Sequence, residues 1–437
     1  MNKRKSIFKE INAMALPIIL DYLVSISFET VDKAMISRYS TEGFASVGLA
    51  GSFLYSITGA LGILCSAYGI MAGKAKGQDD ANKYWNLFHI AMKLTVIIGA
   101  VFSLIAVVSG RLFFKSFYGI GGSLLDSTCS YYKIASLTVL LNMMAFQFSA
   151  LFRNERNTKV TLAADITSSL VNIVLDYVLI YGRFGFPELG ASGAAISTVI
   201  GLICGNAVYF IKYLNLKKNY KIISLKKQLQ DVKQMVKLYI PLLLQDLTEY
   251  TLFGTIIMAI IARLGTFEIA TYNLITTING YIILPAYAYG TVAMTLFIQN
   301  KEKGEAKKSH NMVKKSMIMC VAVISAAAAL ILIFSKSVVM IFSDDTAVIK
   351  NVKSLLWFPV LSQIVYGIMQ IYKYVLQGCN FEKYVFIVNL IFCVVSCAIS
   401  FILVRLYGLY GVFIGTFISY LGNIILLYCK YYSEAKN

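Results

Sequence analysis

Residues 190–214 read GASGAAISTVIGLICGNAVYFIKYL, and residues 408–431 read GLYGVFIGTFISYLGNIILLYCKY. Each stretch has one charged residue, a lysine near its end, and is long enough to cross a bilayer as a helix of about 20 residues. Both stretches begin with the pattern Gly-x-x-Gly-x-x-Ile-x-Thr and later contain Gly-Asn. A shared pattern in two apolar segments so far apart predicts a membrane protein with an internal repeat.

The rest of the chain has the same apolar character. Of the 437 residues, 58% are hydrophobic and only 14% are charged, whereas a soluble domain has about a quarter of its residues charged. The long apolar blocks predict an all-α membrane protein with twelve transmembrane helices in two six-helix lobes. The predicted spans lie near 11–37, 44–72, 86–110, 128–152, 160–182, 190–214, 236–262, 268–299, 312–336, 347–377, 383–406 and 408–431.

The distribution of basic residues predicts the orientation of these spans. The formal net charge is +18, but the Lys and Arg residues cluster between apolar blocks, on the side of the bilayer that carries both predicted termini. This is the positive-inside pattern and not a surface for binding nucleic acid. We therefore expect a multi-pass protein of the cell membrane (inner or plasma membrane), bacterial by its composition, with both termini in the cytoplasm and no nucleic-acid partner.

The two halves of the chain share further matches in the same order. Pro17 and Arg38 of the first half recur as Pro241 and Arg263 of the second, with offsets of 224 and 225 residues. An even number of spans in each half predicts a parallel repeat, in which two lobes rock about a substrate cavity between them. The predicted organisation is an N-terminal six-helix lobe over 1–215, a basic cytoplasmic linker over 216–237 and a C-terminal six-helix lobe over 238–437.

Residues typical of catalysis or of a bound cofactor do not form a recognisable set in the sequence. The eight Cys are scattered through apolar blocks and are expected to be small buried apolar side chains. The chain has no G-x-x-x-x-G-K-[ST] loop for ATP, and neither Asp79-Asp80 nor Asp344-Asp345 continues as an Asp-Asp-x-x-Asp motif. We therefore predict a protein that is not an enzyme and has no cofactor.

Ionisable side chains inside the predicted spans are the best candidates for function. A charge at the centre of a bilayer costs about 2.5–3.5 kcal/mol on insertion scales, so a passive scaffold does not explain such residues. Glu29 and Lys33 are four residues apart and are expected to pair on one helix face. The candidates are Asp21, Glu29, Asp32, Lys33, Asp165, Asp176, Asp246, Glu249 and Lys373.

Four polar residues are expected at a similar depth in the N-terminal lobe. Asp32 and Asp176 each lie about six residues, or roughly 9 Å, from the outer end of a predicted span. Asn172 is one turn from Asp176 on the same face, and Thr198 reaches a similar depth from the start of the next span. Two carboxylates, an amide and a hydroxyl form an all-oxygen set for a hard cation, or the two acids share a proton. The alternative is that the four residues lie on unrelated helix faces.

The segments around these residues resemble a known family. Residues 172–182 (NIVLDYVLIYG) and 184–198 (FGFPELGASGAAIST) are similar to the fifth and sixth spans of multidrug and toxic compound extrusion (MATE) transporters, of the MOP flippase superfamily. Residues 15–17 (ALP), the Val-Asp pair that ends at Asp32, and the loop 153–159 (RNERNTK) also resemble segments of that family. The resemblance covers almost the whole chain.

The resemblance implies a secondary active antiporter that exports organic cations and amphipathic compounds in exchange for Na⁺ or H⁺ by alternating access. Matched residue by residue, the family's N-lobe cation site falls on Asp32, Asn172, Asp176 and Thr198, which bind Na⁺ if the coupling ion is not H⁺. The expected partners are a small cationic or amphipathic substrate and the lipid bilayer. We expect the protein to be a monomer.

The C-terminal lobe offers a weaker candidate. Some family members add a carboxylate on the seventh span, where Glu249 falls, and Asp246 lies three residues before it. These two acids are candidates for a substrate site or a second ion site, although a structural pairing also explains them. Members with such a site carry an acid on the tenth span, where this sequence has Tyr366 and Gln370.

The main alternative function is a lipid-linked oligosaccharide flippase of the same superfamily. Such a protein is expected to hold pyrophosphate with basic side chains in its cavity. Lys33 and Lys373 are the candidates for this role in the sequence, and two lysines support the flippase only weakly. The residues therefore favour the antiporter.

Overall fold

The computed structural model describes residues 2–216, 225–342 and 346–436. Within these ranges every regular element is a helix, and no strand occurs. Eleven helical segments among the described residues are long and apolar enough to cross a membrane, and a twelfth consists of two helices that meet at a 47° bend. The predicted all-α fold with twelve membrane helices is thereby confirmed.

The first half of the chain contributes six of these spans. Its helices are α1 (Asn2–Tyr39), α2 (Thr41–Gly62), α3 (Leu64–Gly77), α4 (Ala81–Phe117), α5 (Gly122–Ala135), α6 (Leu137–Asn154), α7 (Lys159–Ile180) and α8 (Gly190–Leu216). Helices α2 and α3 meet at Ile63 and form one span, and α5 and α6 meet at Ser136 and form another.

The second half contributes the remaining spans in the same order. Its helices are α9 (Leu225–Asp246), a π-helical turn (Leu247–Leu252), α10 (Phe253–Ala262), α11 (Thr266–Ile282), α12 (Leu284–Glu302), α13 (Ala306–Ile333), α14 (Ser335–Phe342), α15 (Thr346–Leu355), α16 (Trp357–Gly378), α17 (Glu382–Tyr407) and α18 (Leu409–Lys436). The π-helical turn joins α9 to α10 within one span, and α15 with α16 is the bent pair.

Helix α9 begins well before the predicted start of its span. Residues 217–224 of the predicted linker lie outside the described residues, but the linker's second part is helical from Leu225 onward. Met235, Leu238 and Leu242 are buried at helical spacing, while the lysines of this segment face outward. This amphipathic pattern explains why a polar stretch continues the helix.

The chain divides into two compact units. One unit consists of Leu16–Tyr239, and the other consists of the residues up to Ala15 together with those from Ile240 onward. Within the second of these units, the Tyr289 hydroxyl donates a hydrogen bond to Oδ1 of Asn12 at 2.9 Å. The first turns of α1 therefore belong to the unit that the second half of the chain forms.

The repeat is also visible in two equivalent hydrogen bonds. In the Leu16–Tyr239 unit, the hydroxyl of Tyr213 on α8 is bonded to Nε2 of His89 on α4 at 2.9 Å. In the other unit, the hydroxyl of Tyr431 on α18 is bonded to Nδ1 of His310 on α13 at 2.6 Å. The two histidines of the chain thus each join the third and the last span of their own half.

Candidate cation-binding site

Helices α7 and α8 approach each other closely because glycines of α8 face α7. A Cβ atom at Gly193 would lie 2.7 Å from the carbonyl oxygen of Leu179, and one at Gly201 would lie 2.6 Å from that of Ser168. Atoms in a close-packed interior do not approach this closely, so a larger residue at either glycine would push the helices apart. The residues of α8 between these glycines therefore reach the polar face of α7.

Asp176 lies on that face of α7, and its side chain is completely buried. The hydroxyl of Ser197 on α8 donates a short hydrogen bond to Oδ1 of Asp176. Oδ2 of Asp176 is buried and meets no hydrogen-bond donor among the described residues. Because a buried carboxylate is costly unless its charge is compensated, a proton or a cation is needed to complete this group.

Asn172, one turn before Asp176, connects the same two helices. Its amide nitrogen donates hydrogen bonds to the hydroxyl oxygens of Ser197 and Thr198, each at 3.3 Å. The Thr198 hydroxyl donates in turn to the carbonyl oxygen of Ala194 at 2.8 Å. The side-chain oxygens of both hydroxyl residues therefore lie beside the carboxylate.

Asp32 reaches this group from α1. Its carboxylate lies within hydrogen-bonding distance of the Asp176 carboxylate. The Tyr181 hydroxyl, just beyond the end of α7, donates to the backbone oxygen of Met35 at 2.8 Å and so joins the chain there to α1 beside Asp32. Ionised carboxylates are both acceptors, so a proton or a cation has to lie between them. The four residues predicted at one depth therefore lie together and not on unrelated faces.

Two more side chains belong to this group, and sequence reasoning missed both. Ser197 lies four residues after Gly193 and four residues before Gly201. This spacing places Ser197 on the same face of α8 as the two glycines, which is the face that contacts α7. Tyr131 of α5 lies close enough to Asp32 and Asp176 for their charges to act on it. No sequence pattern connects Tyr131 with either acid, because its helix is distant from both along the chain.

Among the described side chains, the group is an oxygen site with two acidic members, Asp32 and Asp176. Among the residues that the structure describes, no cluster of three His, Cys, Asp or Glu side chains could hold a metal ion. Two carboxylates supported by neutral hydroxyl and amide oxygens suit Na⁺ or a shared proton better than a divalent metal.

The acids predicted in the second half have a different environment. Glu249 lies in the π-helical turn, and its Oε2 accepts hydrogen bonds from Nζ of Lys373 at 2.5 Å and from Nδ2 of Asn389 at 3.2 Å. The side chains of Lys373 and Glu249 are only 8% and 14% exposed. Asp246 is partly buried and close enough to feel both charges. The charge of Glu249 is therefore compensated by the ammonium group of Lys373, which is part of the protein and cannot leave.

The tenth span, which contains α16, has polar side chains but no Asp or Glu. The amide of Gln370 is hydrogen-bonded to the hydroxyl of Tyr366, and the amide of Gln377 donates to Oε1 of Gln245 at 2.8 Å. Tyr366 and Gln370 are the tenth-span residues that stand where family members with a second ion site carry an acid. A second ion site at Glu249 and Asp246 stays a prediction.

Two further predictions fall on parts that are not described. The Lys33 side chain lies outside the described side chains, so its pairing with Glu29 stays a prediction. Asp344-Asp345 also lies outside the described residues, whereas Asp79 and Asp80 form the turn between α3 and α4.

Twelve membrane helices in two matching halves, with buried acids inside one unit, define a multi-pass membrane transporter. The MatE family model matches residues 17–178 and 241–402, one match in each half of the chain. These two segments cover most of the sequence, and the chain belongs to the MatE family. The resemblance seen in the sequence is thereby confirmed.

Related proteins align over nearly the whole chain. It is 26% identical over 440 residues to the probable multidrug resistance protein NorM of Photorhabdus laumondii, covering 96% of this chain and 94% of that protein. It is 21% identical over 445 residues to the probable multidrug resistance protein YoeA of Bacillus subtilis, covering 98% of this chain and 94% of that protein.

A solved structure has the same fold. A mutant of the Vibrio cholerae MATE transporter VcmN is similar with a TM-score of 0.89 at 18% identity, covering 100% of this chain and 98% of that chain. At this level of identity the similarity shows a shared fold.

Proposed function

We propose that this protein is a secondary active antiporter that exports organic cations and other amphipathic compounds in exchange for Na⁺ or H⁺. The observation that carries the proposal is the pairing of Asp32 with the buried Asp176, beside the oxygens of Asn172, Ser197 and Thr198. Relatives that are named probable multidrug resistance proteins support the substrate class.

The coupling ion enters this group from outside and replaces the missing positive charge between the two carboxylates. Because α1, α7 and α8 all contribute to the group, binding of the ion changes how these helices pack, and the change lowers the affinity for substrate. Release of substrate to the outside follows from this linkage, in which each ligand weakens the other.

The available driving force is large enough for export without ATP. One cation moving inward across about 100 mV yields about 2.3 kcal/mol. A tenfold concentration gradient adds about 1.4 kcal/mol. For a neutral substrate, the two together support accumulation outside by roughly several hundredfold. For a singly charged cation exchanged one for one, no net charge crosses the membrane, and the tenfold ion gradient alone supports about tenfold accumulation.

The membrane context of the proposal follows from charge. Lysine and arginine lie mainly in the loops on the side of the termini, so both termini are cytoplasmic in a cell membrane. The protein acts as a monomer with a small-molecule substrate, and it needs no cofactor besides the coupling ion.

The test uses purified protein in liposomes that contain a fluorescent organic cation. A Na⁺ gradient and a pH gradient are imposed separately on the wild type, Asp32→Asn and Asp176→Asn. The control is Asp126→Asn, because this carboxylate is exposed and pairs with Arg111 at 2.7 Å on the surface. We expect one gradient to drive dye flux in the wild type and the control, and neither gradient to drive it in the two site variants.

Wild-type flux in both site variants would show that the coupling site lies elsewhere. No flux in the wild type under either gradient would favour the lipid-linked oligosaccharide flippase, which is then tested with a pyrophosphate-linked lipid. Lys373, one of the two cations on which that alternative depends, is already bonded to Glu249.

A further inference from the structure

A second pair of carboxylates lies in the Leu16–Tyr239 unit. Asp21 of α1 and Asp165 of α7 lie within hydrogen-bonding distance of each other. The side chain of Asp21 is only 6% exposed, and its Oδ1 is buried without a hydrogen-bond partner among the described residues. Sequence reasoning named both residues as intramembrane acids and gave them no function.

Among the described residues, no positively charged group acts on this pair. Tyr209 of α8 lies near both acids, is 1% exposed, and stacks on Phe148 with ring centroids 5.6 Å apart. The titratable groups that act on the pair within the described residues are the two carboxylates and this tyrosine. Two ionised carboxylates in contact and away from water repel each other strongly, so the pair holds one proton between them.

The acidic group around Glu249 shows the contrast. In the other unit, buried Glu249 is neutralised by the ammonium group of Lys373 at 2.5 Å. A lysine is a permanent partner because it cannot leave the site. Asp21 and Asp165 have no such partner among the described residues, so the cation that compensates them is exchangeable.

The two carboxylate pairs of this unit are in register. Asp32 follows Asp21 by eleven residues on α1, and Asp176 follows Asp165 by eleven residues on α7. Eleven residues are about three helical turns, so each helix places both its acids on one face, about 16 Å apart. Between the pairs, α7 carries Ser168 and Asn172 at spacings of three and four residues. Helix α7 therefore has a continuous polar stripe from one pair to the other.

We propose that Asp21 and Asp165 form a second binding site of this unit, which holds one exchangeable proton and relays protons between the Asp32–Asp176 group and the cytoplasm. The relay rests on the proposed function with H⁺ as the coupling ion, so export that only a Na⁺ gradient drives would overturn it. The proton site itself does not rest on that function. On the proposed orientation, the site lies on the cytoplasmic side, because Asp165 is six residues after the start of α7.

The proton balance of the relay is simple. With its proton bound, the pair carries one negative charge. A proton that arrives on the free oxygen of one carboxylate allows the shared proton to leave from the other, and the charge of the pair is the same at the start and the end of a cycle. No oxidant, metal or other reactant is required.

The proton site is tested by infrared spectroscopy on the full chain in liposomes at neutral pH. A shared proton gives the carbonyl stretch of a protonated carboxylic acid, which shifts in D₂O if the proton exchanges. Asp32 and Asp176 give a band of the same kind when they share a proton, so the comparison is made in a background that carries Asp32→Asn and Asp176→Asn. In that background, we expect Asp21→Asn and Asp165→Asn each to lose the band. The surface control Asp126→Asn should retain it. Two separate variants keep the test informative if one of them fails to fold, which thermal unfolding would reveal.

The relay is tested by transport in the same liposomes under a pH gradient. We expect both variants to export the dye about a hundredfold more slowly, the lower end of what a positioned acid or base contributes. Equilibrium binding of the dye should be unchanged, and Asp165→Glu should restore part of the rate.

Three outcomes separate the inferences. A wild-type infrared band in both variants overturns the proton site. Loss of the band with a wild-type export rate overturns the relay, because the pair then holds a proton off the transport path. If Asp32→Asn also exports at the wild-type rate, the proposed function has failed, while the infrared result still decides whether Asp21 and Asp165 share a proton.

Discussion

Replacing Gly201 by alanine tests the close contact between α7 and α8 that assembles the candidate cation site. A methyl group at this position would lie 2.6 Å from the carbonyl oxygen of Ser168 and 3.1 Å from Cβ of Asn172, whereas ordinary contact begins at 3.4 Å. Helix α7 must therefore move by about 0.8 Å near Ser168. Overpacking of this kind costs about 1–3 kcal/mol of unfolding free energy.

A matched control is needed because alanine is also the better helix former. Within a helix, the change from Gly to Ala stabilises the protein by about 0.5–1 kcal/mol. Gly59 lies inside α2, is exposed, and has nothing within 4 Å of where a Cβ atom would be placed. Because both variants gain the same helix propensity, Gly201→Ala should be less stable than Gly59→Ala by about 1–3 kcal/mol.

The assay is unfolding of both variants in detergent, together with binding of the coupling ion. Asn172 donates to Ser197 and Thr198 at 3.3 Å, near the upper limit of a hydrogen bond. A shift of α7 lengthens these contacts, so Gly201→Ala should also bind the ion more weakly than Gly59→Ala. Equal stability and equal ion affinity in the two variants would refute the idea that this close contact builds the site.

Two further predictions concern single side chains. Lys373→Met leaves Glu249 buried without its cation and should lower the unfolding free energy by about 3–5 kcal/mol. Adding Glu249→Gln should recover most of this loss in thermal unfolding, and no recovery would mean that Lys373 stabilises the unit in another way. Tyr213→Phe removes the hydroxyl that is hydrogen-bonded to His89 and should cost about 1 kcal/mol, whereas the exposed Tyr407→Phe should cost almost nothing. Equal melting temperatures for the two tyrosine variants would contradict this role.

The sequence was sufficient for the membrane helices and the repeat. The length of a membrane helix is set by the thickness of the bilayer, so an apolar segment as long as 190–214 identifies a span by itself. The glycines of the repeated pattern were visible as a sequence match, and the structure gives their physical cause at Gly193, where α7 and α8 are in contact. Helix breaks at Ile63 and Ser136 were not predicted, because both lie inside continuous apolar stretches.

Depth along a helix was predictable, whereas rotation about its axis was not. A fixed rise per residue allowed Asp32, Asn172, Asp176 and Thr198 to be grouped before any contact was known. Whether they faced one another depended on how α1, α7 and α8 are rotated, and the sequence left that alternative open. Their common position was decided by close packing between helices.

Pairs between distant helices were decided by the tertiary structure alone. The sequence marked Asp21, Asp165, Glu249 and Lys373 as unusual because a charge in an apolar segment is costly wherever its helix points. It did not reveal that Asp21 and Asp165 lie next to each other, nor that Glu249 is neutralised by Lys373. The cost of a buried charge is a local property of the chain, but its compensation depends on which helix faces are brought together, and packing of the whole unit determines that.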